Sequence, residues 1–340
     1  MTPTTSTSTQ IQLIARPSGW PTASDFRTVQ VELPPLEAGQ IRVANEFISV
    51  DPYMRGRMND VKSYTPPYVL GETMTGGAVG RVIESAAPTV SVGDVVVHQD
   101  GWRDIAQADA SAFRVVQELP GVPLSAYLGI LGMTALTAYV GLTEIAHMKE
   151  GDTVFISGAA GAVGSAAGQI ARLKGAGRVI GSAGSDEKVA LLTSKYGYDA
   201  AFNYHNGPVR EQLEAAAPNG IDVYFDNVGG EHLEAALYSF NDGGRAALCG
   251  AISQYNSDTP PVGPRNMANI TTRGLTLQGF TLGNYFHHMP EFLRQMGGWL
   301  AAGEVVYDET VVDGVENTVD AFLDLMRGKN VGKMVVRVAR

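Results

Sequence analysis

Between Thr153 and Gly175 the chain reads TVFISGAAGAVGSAAGQIARLKG. A short β-branched run ends in a cluster of glycines, Gly158, Gly161 and Gly164, and a small-residue helical pattern begins at once. Strand, tight glycine turn and helix in that order constrain the fold more than any other feature of the chain. In such a turn Gly161 lets backbone approach a pyrophosphate. Ala162 and Val163 present unpaired N–H groups at the positive end of the helix, and Gly164 lets the helix lie against its strand. The G-x-G-x-x-G fingerprint is imperfect, because Ala159 stands at its first position.

The alternation continues. RVIGSAG (178–184) precedes DEKVALLTSKYG (186–197), AAFNY (200–204) precedes PVREQLEAAA (208–217), and IDVYFDNVGG (221–230) precedes EHLEAALYSF (231–240). RAALCGAI (245–252), LTLQGF (275–280) and a helical EFLRQMGGWLAAGE (291–304) follow. Alternating strands and helices predict an α/β fold with a doubly wound parallel sheet, which binds ligands beyond the carboxyl ends of its strands. Asn227, Cys249, Phe280 and Leu282 fall at or just after such ends, and backbone near 280–282 is suited to hold a carboxamide. Cys249, alone in an apolar strand, reads first as an inert thiol.

The first third has a different texture. IQLIAR (11–16), VQVEL (29–33), QIRVANEFISV (40–50), GGAVGRVIES (76–85) and DVVVH (94–98) are short β-runs separated by turn residues, the pattern of an all-β or barrel-like domain. The tail, VVYDETVV (305–312), VENTVDAFLDLMRG (315–328) and GKMVVRV (332–338), reads as β-rich and is placed with that domain. The opening MTPTTSTSTQ reads as disordered and lacks the basic and apolar regions of a signal peptide. No run of apolar residues is long enough to span a bilayer, so the cytoplasm is the default location.

Composition narrows function further. With 25 basic and 35 acidic residues the formal charge is -10, which disfavours nucleic acid. A single cysteine excludes an internal disulfide framework and any multi-cysteine zinc site. The six histidines form no H-x-x-x-H pattern, and the adjacent His287 and His288 are expected to point apart as surface polar residues. No G-x-S-x-G is present, so a hydrolase elbow is unsupported.

The nicotinamide cofactor is read from the end of the second strand, where an NAD site carries an acid roughly 20 residues beyond the loop. Here the segment is GSAG, with Ala183 near that place, so an additional phosphate meets no repulsion. Ser185 is a candidate helix N-cap whose hydroxyl can also donate to a phosphate, Lys188 offers a cation, and Tyr204 a hydroxyl. These favour NADP; the competing reading has Lys188 as a surface lysine and Asp186 on the ribose.

Taken in order, DPYMRGRM (51–58), LGMTALTAYVGL (131–142), GAAGAVG (158–164), GSDEKV (184–189), FDNVGG (225–230), CGAISQYN (249–256) and KNVGK (329–333) resemble the zinc-independent medium-chain dehydrogenase/reductases. The likeness is to the branch of prostaglandin reductase (leukotriene hydroxydehydrogenase), alkenal double-bond reductases and curcumin reductase. It covers nearly the whole chain after the first ten residues. Where zinc-dependent relatives carry G-H-E, this chain reads GET at 71–73. The resemblance implies a GroES-like β-barrel substrate domain over 11–128, completed by 305–340, and a Rossmann NADP-binding domain over 129–304. It implies that NADPH delivers hydride to the β-carbon of an unsaturated ketone or aldehyde, with the enolate then protonated at the α-carbon. It also implies a homodimer.

By the same resemblance Tyr255 lines the substrate site and is the first choice for the donor to the enolate oxygen. Tyr53 and Tyr64 shape the substrate, Met133 and Thr134 border the nicotinamide, and Asn330 contacts the cofactor. Two alternatives stay open: an NADPH:quinone oxidoreductase of the same superfamily, and a non-catalytic NADPH-binding protein.

Overall fold

The computed structural model describes residues 6–338, and the chain divides into two compact units, one running to Leu128 and resuming at Glu309, the other Gly129–Asp308. The first unit opens with β1 (Ser6–Leu13), paired antiparallel with β2 (Phe26–Leu33). Residues 6–10 are therefore ordered strand, contrary to the disorder expected from composition; residues 1–5 lie outside the described residues. The reason is that the hydroxyls find partners. Ser8 is fully buried and its Oγ donates to Asp104 Oδ1 (3.0 Å) and to the Ile105 carbonyl (2.9 Å).

Next come β3 (Gln40–Ser49), a short helix α1 (Tyr53–Arg57), β4 (Ala78–Ser85), β5 (Val95–His98), β6 (Ile105–Asp109) and β7 (Arg114–Val115). β3 pairs antiparallel with β4 and β6, and irregularities in register at Arg42/Val43 and Asn45/Phe47 bend it. Ile41, Val43, Val82, Val96, Ala106 and Phe113 fill one core beneath these strands.

The second unit starts with α2 (Met133–Val140) and then alternates: β8 (Thr153–Ile156), α3 (Ala162–Leu173), β9 (Arg178–Ala183), α4 (Asp186–Ser194), β10 (Ala200–Asn203), α5 (Val209–Ala216), β11 (Ile221–Asp226), α6 (Gly230–Ser239) and β12 (Phe240–Leu248). α7 (Ala268–Thr272), β13 (Thr276–Gly279) and α8 (Met289–Ala301) complete it. The six strands are parallel in the order β10-β9-β8-β11-β12-β13. Chain order reverses between β8 and β11, which makes that gap the switch point of a Rossmann sheet. Phe155 stacks between Phe202 (5.8 Å) and Tyr224 (5.0 Å) at the centre of the core on the α5–α6 face.

The tail holds β14 (Glu309–Asp313), α9 (Thr318–Met326) and β15 (Lys333–Arg337). β15 pairs with the end of β3, so the C-terminal segment completes the first sheet and gives the chain its GroES-like plus Rossmann architecture. Two details differ from the sequence-based expectation. Residues 315–328 are largely helical: Ala321, Phe322, Leu325 and Met326 recur at helical spacing and are buried, with Phe322 against Trp102 (5.9 Å). Residues 305–308 stay with the second unit rather than the first, because Gln169 clasps Val306 through both backbone groups (2.8 Å each) and Lys195 holds Asp308 (2.6 Å). None of the helices among the described residues is long and apolar enough to cross a membrane.

The first unit also buries two polar groups with full partner sets. Lys333 directs its three ammonium donors at Val50 O (2.9 Å), Met334 O (2.8 Å) and Asp51 Oδ1 (3.1 Å). His98 accepts the Asp100 N–H at Nδ1 (3.1 Å), which puts its proton on Nε2, 2.9 Å from Asn45 Oδ1. Burial, aided by the charge of Arg103, pushes the imidazole from 6.5 down to about 3. Since the folded value lies below the free one, the unfolded chain takes the proton first. The stability His98 confers is full above about 6.5 and is lost as pH falls toward 3. The thermal midpoint should fall across that window, and His98→Gln should flatten part of the fall. A variant tracking the native curve throughout would show that another group is responsible.

Candidate functional site

Because the second sheet is parallel, the carboxyl ends of β8, β9, β11, β12 and β13 share one edge, and most predicted residues gather there. After β8 the backbone turns at Gly158, φ +59, and α3 begins at Ala162 with Gly161 as N-cap and no side chain capping it. The N–H groups of that first turn have no partner within the helix, which suits an anion. Gly164 is the tightest position in the loop. A Cβ there would stand 2.4 Å from the Gly158 carbonyl oxygen and 2.6 Å from Ala159 Cα, both backbone. At Gly161 the nearest atom to a Cβ is 3.4 Å away. Tyr198 Oη donates to the Gly164 carbonyl (2.7 Å) and holds α3 from its other side.

At the end of β9, Ala183 is buried and Ser185 is the N-cap of α4, its Oγ accepting from the Lys188 N–H (3.3 Å). Lys188 is half-buried, and burial lowers its pKa. Tyr204 follows β10, and its hydroxyl is 2.8 Å from where a Gly184 Cβ would stand. Its ring packs against His205 (4.3 Å) and His232 (5.3 Å). The nearby acids are engaged. Asp186 Oδ1 accepts from Asn203 Nδ2 (2.8 Å) and Asn206 Nδ2 (3.0 Å). The Glu187 carboxyl is held low by its own backbone N–H and then by the Ser185 hydroxyl.

Across the switch point Asn227 donates its N–H to Ser157 Oγ (3.0 Å) and its Nδ2 to the Ser157 carbonyl (2.8 Å). Cys249 ends up beside Asp226, and burial foremost, then the Asp226 charge, pushes its thiol up to about 12, so it is a poor nucleophile. Tyr255 closes a 3-10 turn, Ile252–Gln254, and is half-buried. Its Oη accepts the Ala251 N–H (3.2 Å), and burial raises its pKa. Phe280 meets Phe225 edge-on (6.5 Å), and Leu282 opens a 3-10 turn ending at His288. Met133 opens α2, and Thr134 beside it is buried with Oγ1 on the Gly129 carbonyl (3.0 Å).

Three predicted residues belong to the first unit. Tyr53 begins α1, half-buried, its pKa raised by burial and by Asp51. Tyr64 is 67% exposed. Asn330 is buried and donates Nδ2 to the Gly332 carbonyl (2.8 Å), a local role. His287 and His288 do not point apart as expected: their rings lie 4.2 Å from each other, since the 3-10 turn brings neighbours together, and His288 Nε2 is 3.9 Å from Glu144.

Sequence reasoning missed three features: the Ser157 and Tyr224 hydroxyls at Asp226, the asparagines on Asp186, and the Ala251 N–H on Tyr255. A tyrosine inside the apolar run IDVYFD, which needs a partner for its hydroxyl, was a usable signal for the first. Backbone donors leave none.

Residues 9–116 match the family described as N-terminal domain of oxidoreductase, and 162–297 that described as zinc-binding dehydrogenase. The chain is 40% identical to NADPH-dependent curcumin reductase of Escherichia coli, over 96% of each protein. It is 43% identical to prostaglandin reductase 1 of Sus scrofa, over 94% of this chain and 95% of that one. The structure of CurA from Vibrio vulnificus in complex with NADPH superimposes with a TM-score of 0.92 at 42% identity, covering 98% of this chain and 99% of that one. The chain belongs to the medium-chain dehydrogenase/reductase family. Within it, the chain falls in the branch of curcumin and prostaglandin reductases. One matched description names zinc, but the donor set does not fit: among the described residues no group of three or more His, Cys, Asp or Glu side chains could hold a metal ion.

The two loop glycines should separate in experiment. Gly164→Ala, forced against backbone, should cost roughly 1–3 kcal/mol of stability in urea unfolding. Gly161→Ala has ordinary contact distances and should unfold near the native midpoint. Equal midpoints for both would refute the close-packing role of Gly164.

Proposed function

We propose that the chain reduces the C=C bond of α,β-unsaturated ketones and aldehydes with NADPH. The observation that carries this reading is the Tyr255 hydroxyl, whose oxygen is occupied by the Ala251 N–H while its proton remains to be donated. A raised pKa keeps it protonated.

The second unit's residues fit a dinucleotide phosphate. The uncapped start of α3 at Ala162, Val163 and Gly164, beneath a Gly161 with room for a close approach, receives the pyrophosphate. Lys188, Ser185 and Tyr204 receive the 2′-phosphate, Ala183 offers no acid to repel it, and the competing acid Asp186 is tied to Asn203 and Asn206. Asn227, Cys249, Phe280, Leu282, Met133 and Thr134 complete the cofactor's surroundings in that unit.

When bound, the reduced nicotinamide supplies hydride to the β-carbon. The chain's own task is then to stabilise the oxygen on which charge develops, and Tyr255 donates its hydrogen bond there as the enolate forms. The deciding experiment mixes the protein with NADPH and a panel of enones, enals and a quinone, and identifies the products. A saturated carbonyl product supports the reading; turnover of the quinone alone overturns it.

Two substitutions test the named roles. Lys188→Ala should raise KM for NADPH roughly tenfold, in line with one charge-assisted hydrogen bond, and leave that for NADH nearly unchanged. Equal changes would remove Lys188 from the 2′-phosphate. Tyr255→Phe should lower kcat for an enone about a hundredfold with NADPH affinity kept, the size expected for one oxyanion donor.

A further inference from the structure

We propose that Asp226 is the positioning residue for the Tyr255 hydroxyl, acting through the turn at 226–229 and the loop at 249–255. The proposal rests on the reading of Tyr255 as the enolate donor.

Asp226 is buried at the end of β11, and its Oδ1 gathers four donors: Tyr224 Oη (2.7 Å), Ser157 Oγ (3.2 Å), Val228 N (2.9 Å) and Gly229 N (2.7 Å). Two of these are backbone N–H groups of the next residues, so the turn is wound around the carboxylate. Gly229 takes φ +70 there, and a Cβ on it would stand 3.0 Å from Ala251 Cβ, so turn and loop pack with no side chain between them.

The turn then fixes the loop. Cys249 N and Gly250 N donate to the Asp226 carbonyl (2.9 and 3.0 Å), and Ile252 N to that of Asn227 (3.2 Å). The Val228 carbonyl takes Ser253 N (3.2 Å) and Ser253 Oγ (2.6 Å). The same loop places the phenol. Ala251 N donates to Tyr255 Oη (3.2 Å), and a Gly250 Cβ would stand 3.0 Å from that oxygen. The hydroxyl is located by the backbone of 250–251, and that backbone is located by the turn that the Asp226 carboxylate organises. Asp226 itself is enclosed by its donors and acts only through Tyr255.

A double-mutant cycle separates this from a purely structural role. Asp226→Ala, Asp226→Asn and Ser253→Ala are each made in the native and in the Tyr255→Phe background. Enone kcat, KM and NADPH Kd are measured, with circular dichroism to confirm folding. In the native background Asp226→Ala should lower kcat by about tenfold or more. Asp226→Asn, which keeps an acceptor oxygen, should recover much of that loss, and Ser253→Ala, which removes one clasp of the loop, should lower kcat about threefold. NADPH Kd should move by less than about threefold. With Tyr255→Phe present these losses should nearly vanish. If Asp226→Ala does not fold, the milder Ser253→Ala carries the same cycle. Losses of the same factor in both backgrounds, with Tyr255→Phe itself slow, would overturn the role of Asp226 and leave the Tyr255 reading standing. A Tyr255→Phe enzyme with native kcat would overturn both.

Discussion

The start of α3 lies so close to the end of β8 that no side chain larger than a hydrogen fits at Gly164, and the organisation of the second unit follows from that contact. The Gly158 carbonyl and Ala159 press on one side of the helix, and the Tyr198 hydroxyl reaches the Gly164 carbonyl on the other. A helix end held this way cannot drift, so its N–H groups stay aimed past the sheet edge. Ser157, immediately before the turn, carries the constraint across the switch point: its carbonyl and hydroxyl hold Asn227, and its hydroxyl also meets Asp226. The glycine turn after β8 and the turn after β11 are thus one hydrogen-bonded frame.

The acids near that frame are held by neutral donors, which fix the carboxylates in place without removing their charge. Asp186 is occupied by two asparagines, Glu187 by its own N–H and Ser185, and Asp226 is enclosed by donors. Lys188 is the cation of the α4 first turn. The first unit shows the same economy of partners with opposite burial. Lys333 and Asp51 form an ion pair away from water, with every ammonium donor matched. Such a pair adds little net stability over an apolar substitute. Its consequence is geometric: β15 is pinned to the residues that lead into α1, and α1 begins with Tyr53.

What was legible in the sequence follows from which forces leave a residue signature. The Rossmann elements were legible because alternating strands and helices need two different periodicities, and Gly164 because a close backbone approach admits one residue type. Ser185 was legible as a cap because the start of a helix calls for a short side chain whose oxygen can accept a free N–H. The tail helix over Thr318–Met326 was obscured by its valine- and threonine-bearing flanks, although its buried positions obey helical spacing. The N-terminal strand was obscured by composition: Ser and Thr suggest disorder until Asp104, nearly a hundred residues away, supplies the partner for Ser8. Long-range polar pairing of that kind is set by the fold and leaves no local pattern. The crossing back to the first unit was displaced by four residues for the same reason, since Gln169 and Lys195 hold 306 and 308 from far along the chain.

The proposed site was legible to a different degree on its two sides, and the chemistry explains why. Hydride transfer asks the protein for placement and for one donor where negative charge develops, rather than for a set of titrating side chains. Placement is sensitive, since a shift of about 1 Å can cost on the order of a hundredfold in rate. A site built for placement is made largely of backbone. Its glycines are visible in sequence because they are the residues that backbone approach requires. Its donors, such as the N–H groups of Val228, Gly229 and Ala251, are carried by every residue and mark none. The Tyr255 side chain could be singled out from its neighbours in the motif, but the reason its hydroxyl stands where it does lies in a carbonyl at Asp226 and an amide at Ala251. Those become visible only when the chain is folded.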